Sequence, residues 1–196
     1  MGILTLLLLV SYLIGAIPTG VLLTRLAGGG DVRQSGSGNI GATNVYRVAG
    51  RRLGVLTLAG DALKGVLPVL YATAVLGLGD AQTGLVALAA FLGHCYPVYL
   101  GFKGGKGVAT ALGIFLVLSP LSVLGAFLLF ALLLWRFRYI SLGSISAAAV
   151  IPFLVLLVEG SRPLFLATLI ISALVVLRHR GNIERLLNGT ENRFRA

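Results

Sequence analysis

Apolar runs long enough to cross a bilayer recur from the start of this chain almost to its end, and nothing constrains its fold more. A bilayer core of about 30 Å takes roughly 20 residues of helix. Seven spans fit the pattern, at about Ile3–Leu23, Leu53–Leu76, Thr83–Leu100, Gly107–Leu118, Leu121–Trp135, Ile140–Val158 and Leu164–Leu177. Composition agrees: apolar residues make up 57% of the chain and charged residues 11%, against about 45–50% and about 25% in soluble domains. The expected fold is an all-α integral membrane protein, one transmembrane domain over residues 1–196. Its opening, Met1-Gly-Ile-Leu, lacks the basic start of a signal peptide, so the first run is expected to stay as a helix. The single Cys95 excludes an internal disulfide.

The fourth span is short. It has about a dozen residues before Ser119-Pro120 and reaches about 18 Å at 1.5 Å per residue. Either it is a short helix or the loop before it dips into the membrane. Both options bring Phe102–Gly107 into the protein, because irregular backbone at membrane depth must be buried or line a wet cavity.

Orientation follows from charge. The net charge of +10 in a chain like this points to topology rather than to nucleic acid. The first loop holds Arg25, Arg33, Arg47, Arg51 and Arg52, the third Lys103 and Lys106, the fifth Arg136 and Arg138, and the tail five more arginines. Together these are 14 of the 16 Lys and Arg. The positive-inside rule then places the N-terminus outside and the C-terminus in the cytoplasm, which an odd number of spans also requires. In the tail, Ile183, Leu186 and Leu187 form one face of a short helix suited to the membrane surface.

Two cytoplasmic stretches are rich in glycine and polar groups. Ser35 to Arg47 reads Ser-Gly-Ser-Gly-Asn-Ile-Gly-Ala-Thr-Asn-Val-Tyr-Arg. Glycines let a backbone turn tightly and aim several N–H groups at one spot, and Arg47 adds a planar fork suited to phosphate. The stretch reads as an anion cradle. Its formal match to the dinucleotide fingerprint fails, because a membrane-length run precedes it where a strand is needed. The second stretch, Gly93 to Thr110, places Lys103 and Lys106 around Gly104-Gly105, with a helix expected from about Gly107. A helix N-terminus favours phosphate. The spacing is not that of a Walker A loop, and Gly107 stands where Ser or Thr would follow the lysine.

Other polar groups are sparser. Asp61 and Lys64 sit inside the second span, one turn apart on one helix face. They either position a polar site or tie this helix to its neighbours. His94 reads as a structural hydrogen-bonding group and Cys95 as a packing residue, since apolar surroundings raise a thiol's pKa. Ser141 and Ser144 share a face at the start of the sixth span, and His179 and Asn182 share one at the end of the last if the helix runs through Gly181. Nearly all these groups fall in the cytoplasmic halves of their spans or in cytoplasmic loops, and such a layer beside an apolar body suits a molecule with an anionic head and a greasy tail. No internal repeat of the transporter kind is visible, although an anion transporter or channel is the rival reading and a lipid-binding scaffold a third. With two histidines, one cysteine and no carboxylate cluster, neither a metal nor another cofactor is expected.

Four motifs together resemble one family. Ser37 to Arg47, Gly60-Asp-Ala-Leu-Lys-Gly65, Gly93-His-Cys-Tyr-Pro97 with Phe102 to Thr110, and Arg178-His-Arg-Gly-Asn-Ile183 are similar, in order and place, to the bacterial acyl-phosphate–glycerol-3-phosphate acyltransferases. The resemblance covers nearly the whole chain. It implies an inner-membrane enzyme of phospholipid synthesis that moves a fatty acyl group from acyl phosphate to the 1-hydroxyl of glycerol 3-phosphate, giving lysophosphatidic acid and phosphate. Seven spans and a cytoplasmic active site are implied with it. So are the bilayer and the soluble enzyme that supplies acyl phosphate as partners, and no nucleic acid. The His-x4-Asp arrangement of another acyltransferase class is absent, since Glu184 follows His179 at that spacing and Tyr99 follows His94. The implied chemistry is direct transfer with a donor phosphate oxygen taking the hydroxyl proton. Ser37, Arg47 and Lys106 are the implied catalytic groups. Gly38, Asn39, Gly41, Thr43, Asn44, Lys103, Gly104, Gly105, Ser144, His179 and Asn182 are the implied substrate-binding groups. In this reading the Gly38–Asn44 backbone holds the donor phosphate, and Lys106, His179 and Asn182 lie near glycerol phosphate.

Overall fold

Pro18 breaks the first apolar run. Proline has no N–H to donate and disfavours helical geometry in the residue before it. Ile17 is accordingly extended (ψ 117°) and the run becomes two helices, α1 (Ile3–Ala16) and α2 (Thr19–Leu26), bent by 42°. The expected single span Ile3–Leu23 is thus a broken one. The computed structural model describes residues 2–194. Among them are ten α-helices and no strand. After α2 come α3 (Ala42–Ala49), α4 (Arg51–Leu70), α5 (Asp80–Cys95) and α6 (Val108–Leu118). The remaining four are α7 (Pro120–Phe137), α8 (Ile140–Glu159), α9 (Arg162–Arg178) and α10 (Arg180–Leu187).

Prolines set several other boundaries. α5 stops at Cys95, before Tyr96-Pro97, and a short 3₁₀ turn, Val98–Leu100, carries the third span on to Leu100, where it was expected to end. Pro68 lies inside α4, and the next turn, Tyr71–Val75, widens to π geometry. Pro120 and Pro163 occupy first-turn positions of α7 and α9, where a missing N–H costs nothing.

Four helical stretches are long and apolar enough to cross a membrane: Arg51–Val75, Asp80–Leu100, Pro120–Phe137 and Ile140–Glu159. Two bent pairs, α1 with α2 and α9 with α10, raise the number to six, and α6 is a shorter apolar helix. Large apolar side chains on the helix exteriors are exposed, among them Leu121, Leu124, Phe127, Leu128, Leu132 and Trp135 of α7. Small polar residues are buried instead and bond back to their own helix. Ser11 donates to the Leu7 carbonyl at 2.6 Å and Thr168 to that of Leu164 at 2.6 Å. That arrangement fits a chain whose surroundings are hydrocarbon.

By packing, the chain divides into two units, Met1–Val117 and Leu118–Ala196. In the first, α1 lies closely along α5. A side chain on Gly15 would run into the Ala90 carbonyl, and one on Gly93 into that of Tyr12, so the glycines permit the approach. Unit two packs α7 on α8 and α8 on α9, with α10 continuing from α9 after a bend of 55°.

Candidate active site

Asn44 organises the glycine-rich stretch. It is 1% exposed and sits in the first turn of α3, a helix that begins after Gly41 where a continuous loop was expected. Its Nδ2 donates toward the carbonyls of Val32 (3.1 Å), Ser35 (3.2 Å) and Asn39 (2.9 Å), and its Oδ1 accepts the Ser37 N–H at 2.8 Å. Within the same loop, the Gly41 N–H donates to Asn39 Oδ1 at 2.9 Å and the Gly38 N–H to the Ser35 carbonyl at 3.1 Å. These three amides therefore point into the loop rather than out toward an anion. Gly36 and Gly38 have φ of 61° and 69°, the left-handed region that glycine enters at little cost. A side chain on Gly36 would also strike Asn44. The loop is seated on a cluster of Val21, Val32, Ile40 and Val45.

Charge is distributed unevenly over this loop. Asp31 accepts from Arg25 Nη2 at 2.8 Å and from Arg33 Nη2 at 2.6 Å. The Arg33 guanidinium, working against burial and assisted by Arg25, holds the Asp31 carboxyl well below the usual range. Arg47, on α3, is exposed, as are Arg51 and Arg52 at the start of α4 and the hydroxyl-bearing Ser37.

The Lys103–Lys106 segment is held differently. The Gly105 N–H donates to the His94 carbonyl at 3.2 Å. A Cβ on Gly105 would collide with the His94 ring, and one on Gly104 with the His94 carbonyl and Pro97. Gly107 has φ of 80° and lies against Phe91. The paired glycines therefore serve close packing on the end of α5. Lys106 is half-buried between them and the start of α6, Gly105 is buried, and Lys103 is exposed. Leu100, just upstream, packs against the Val21–Val45 cluster.

In unit two, Ser144, His179 and Asn182 are all buried, at 5%, 3% and 7% exposure. The Ser144 hydroxyl donates to the Ile140 carbonyl at 2.9 Å. His179 is the residue between α9 and α10, so the helix does not run straight through it. Its Nδ1 lies 2.8 Å from the Val175 carbonyl. A carbonyl only accepts, so Nδ1 carries a proton and donates it to Val175. Asn182 Nδ2 donates to Glu191 Oε1 at 2.7 Å, Ser141 Oγ to the same oxygen at 2.8 Å, and Arg185 Nε to Oε2 at 2.8 Å. Burial pushes the Glu191 carboxyl up, but the bonds from Asn182, Ser141 and Arg185 outweigh it and hold the group below its ordinary value. The tail thus folds back on the α7–α8 turn, where the Phe194 N–H also donates to the Arg138 carbonyl at 2.6 Å.

Of the expected site residues, unit one carries Ser37, Gly38, Asn39, Gly41, Thr43, Asn44, Arg47, Lys103, Gly104, Gly105 and Lys106, and unit two carries Ser144, His179 and Asn182. Asn39 and Asn44 hold the loop from within. Sequence reasoning missed Glu191, because the tail reads as a basic surface segment. The one signal available was a second carboxylate in the tail after Glu184, nine residues beyond Asn182.

The fold is that of an integral membrane protein with two glycine-rich loops, and comparison with known proteins specifies it further. A family model described as glycerol-3-phosphate acyltransferase matches residues 5–189. A protein of Syntrophotalea carbinolica named glycerol-3-phosphate acyltransferase is 71% identical over 189 residues, 96% of each chain. One of Geobacter sulfurreducens with the same name is 60% identical over 188 residues, 95% of each chain. A crystal structure of PlsY (YgiH), an integral membrane glycerol 3-phosphate acyltransferase, in its glycerol 3-phosphate form matches with TM-score 0.93 and 43% identity, over 99% of this chain and 96% of that one. The lysophosphatidic acid form of that protein matches with TM-score 0.91 and 42% identity, at the same coverage. The chain belongs to the glycerol-3-phosphate acyltransferase family.

Proposed function

We propose that this protein transfers a fatty acyl group from acyl phosphate to the 1-hydroxyl of glycerol 3-phosphate, releasing lysophosphatidic acid and inorganic phosphate. The family match over residues 5–189 carries this reading. The donor is a mixed anhydride and already activated. The glycerol hydroxyl oxygen attacks the acyl carbon, the bond from that carbon to the phosphate oxygen breaks, and the departing phosphate takes the hydroxyl proton. No covalent enzyme intermediate is needed, so the protein's work is positioning and charge stabilisation.

The roles are assigned residue by residue. Arg47 is exposed on α3 and offers a bidentate fork to phosphate. Ser37 offers a hydroxyl, and the first turn of α3 at Ala42–Thr43 offers helix N-terminal amides. Lys106, at the entry to α6, and Lys103 offer charge to the second phosphate. Gly38, Asn39, Gly41 and Asn44 give the first loop its shape, and Gly104 and Gly105 shape the second. In unit two, His179, Ser144 and Asn182 are the polar groups offered to a substrate. The membrane arrangement we favour has seven spans, counting each bent pair and α6 once, in a bacterial inner membrane. The N-terminus is then outside, and the tail and active site face the cytoplasm, toward the enzyme that makes acyl phosphate. Charge supports this, with 14 of 16 basic residues on one side.

The test is purified protein given acyl phosphate and glycerol 3-phosphate, with phosphate and lysolipid both measured. Equimolar release of the two is the expected result. No product, together with phosphate flux in proteoliposomes, would replace this reading with the transporter.

A further inference from the structure

One turn of α4 carries two charged side chains that the chemistry above does not use. Asp61 and Lys64 are 3% and 4% exposed, and Lys64 Nζ lies 2.9 Å from Asp61 Oδ1. Taking charge out of water is costly, and an apolar pair of similar size often stabilises a fold as well as or better than a buried ion pair. Stability alone does not account for keeping it.

Its contacts give a better account. Lys64 Nζ donates to the Ile17 carbonyl at 2.7 Å, at the break that Pro18 makes between α1 and α2. The Asp61 carbonyl accepts from Thr110 Oγ1 of α6 at 2.9 Å. On the side of α5, Asp61 Oδ1 lies 3.8 Å from His94 Nδ1, within ion-pair range of a protonated ring. His94 is itself 2% exposed. The same histidine accepts the Gly105 N–H on its carbonyl and occupies with its ring the space where a Gly105 side chain would lie. The path from the buried carboxylate to Lys106 therefore runs through one imidazole and one glycine. The His94 ring faces the carboxylate at 3.8 Å, Gly105 is moulded on His94, and Lys106 is the next residue.

We propose that Asp61, Lys64 and His94 are positioning residues for acyl transfer: a buried polar hub that sets the Gly104-Gly105 backbone and through it the reach of Lys106 toward glycerol 3-phosphate. They touch no substrate. The proposal rests on the reading that the Lys103–Lys106 loop holds the acceptor's phosphate. It predicts that hub variants act on one substrate. With an acceptor phosphate misplaced by a fraction of an ångström, KM for glycerol 3-phosphate rises by about 10- to 100-fold, while KM for acyl phosphate stays near the parent value. A hub that merely held the fold together would move both constants, or neither.

The experiment uses full-length protein in detergent, with folding checked by the thermal transition. Asp61→Asn and His94→Gln are assayed for both KM values and kcat, beside Lys106→Ala. A second arm is the double-mutant cycle of His94→Ala with Gly105→Ala. The single Gly105→Ala change drives a methyl group into the imidazole, whereas in the His94→Ala background that space is open. Its effect on KM for glycerol 3-phosphate is therefore expected to shrink by about tenfold or more when His94 is removed. Effects that multiply independently would overturn the hub, as would hub variants with parent KM for glycerol 3-phosphate while Lys106→Ala raises it. If Lys106→Ala itself leaves that KM unchanged, it is the assignment of the loop to the acceptor that fails. The cycle still judges the packing between His94 and Gly105 in that case.

Discussion

The two glycine-rich loops of unit one are held by opposite means. The Ser35–Arg47 loop is pinned from within by Asn44, whose side chain reaches backbone groups five to twelve residues away in sequence. The Lys103–Lys106 loop takes its shape from the end of α5, where the His94 carbonyl and ring fit against Gly105 and Gly104. A loop with its own polar side chains can satisfy its buried backbone locally. A loop of glycines and lysines cannot, so it borrows a rigid wall from its neighbours. In the first loop glycine supplies unusual backbone angles, and at Gly104-Gly105 it supplies room.

The largest effects should come from the cations these loops present. Lys106→Ala and Arg47→Lys should each lower kcat/KM by about 10²-fold or more, the scale of losing one preorganised charge partner. Arg47→Lys keeps the charge and loses the fork. Near-parent kinetics in that variant would confine Arg47 to membrane orientation and make the comparison one of shape alone.

Asn44→Ala should come next, and it tests the inner pin directly. It leaves the Ser37 N–H and the carbonyls of Val32, Ser35 and Asn39 without that partner. Stability is expected to fall by about 1–3 kcal/mol, with activity falling alongside. A variant with an unchanged thermal transition would show that water or neighbouring groups replace the amide, and that the first loop is not self-held.

The tail shows a third kind of clasp, a carboxylate holding serine, amide and guanidinium. Because the Glu191 carboxyl titrates below its ordinary value in the folded protein, it adds stability above the ordinary carboxylate range, and that contribution is lost as pH falls through the lowered value. Thermal scans at falling pH should therefore show the parent losing stability in the acid range, while Glu191→Gln starts lower and changes less. Parallel curves would mean that other carboxylates dominate acid unfolding.

The smallest effect is expected at Cys95, buried at the end of α5 beside the histidine. Cys95→Ala should keep its acyl-transfer rate and lose about 1 kcal/mol of stability. An inactive but folded variant, with a parent trapped as an acyl thioester, would replace direct transfer with a covalent route.

Much of this was legible in the sequence. Apolar length marked the spans, because it acts within a few residues: a span needs its run of apolar side chains. Ser119-Pro120 ended the short α6, and the Gly107 helix start was off by one residue. Family membership was readable too, since it rests on motifs in order. Sequence did not reveal that Ser35–Arg47 encloses its own amides and contains a helix, or that Pro18 bends the first span rather than decorating it. Nor did it reveal that Asp61 and Lys64 address a carbonyl 47 residues away and a histidine on another helix. Those outcomes depend on which buried polar groups find partners. Burial makes an unmet donor or acceptor costly, and the partner that meets it is chosen by packing between distant segments. Propensity and hydropathy decide where helices lie, and only the tertiary structure decides which glycine meets the imidazole.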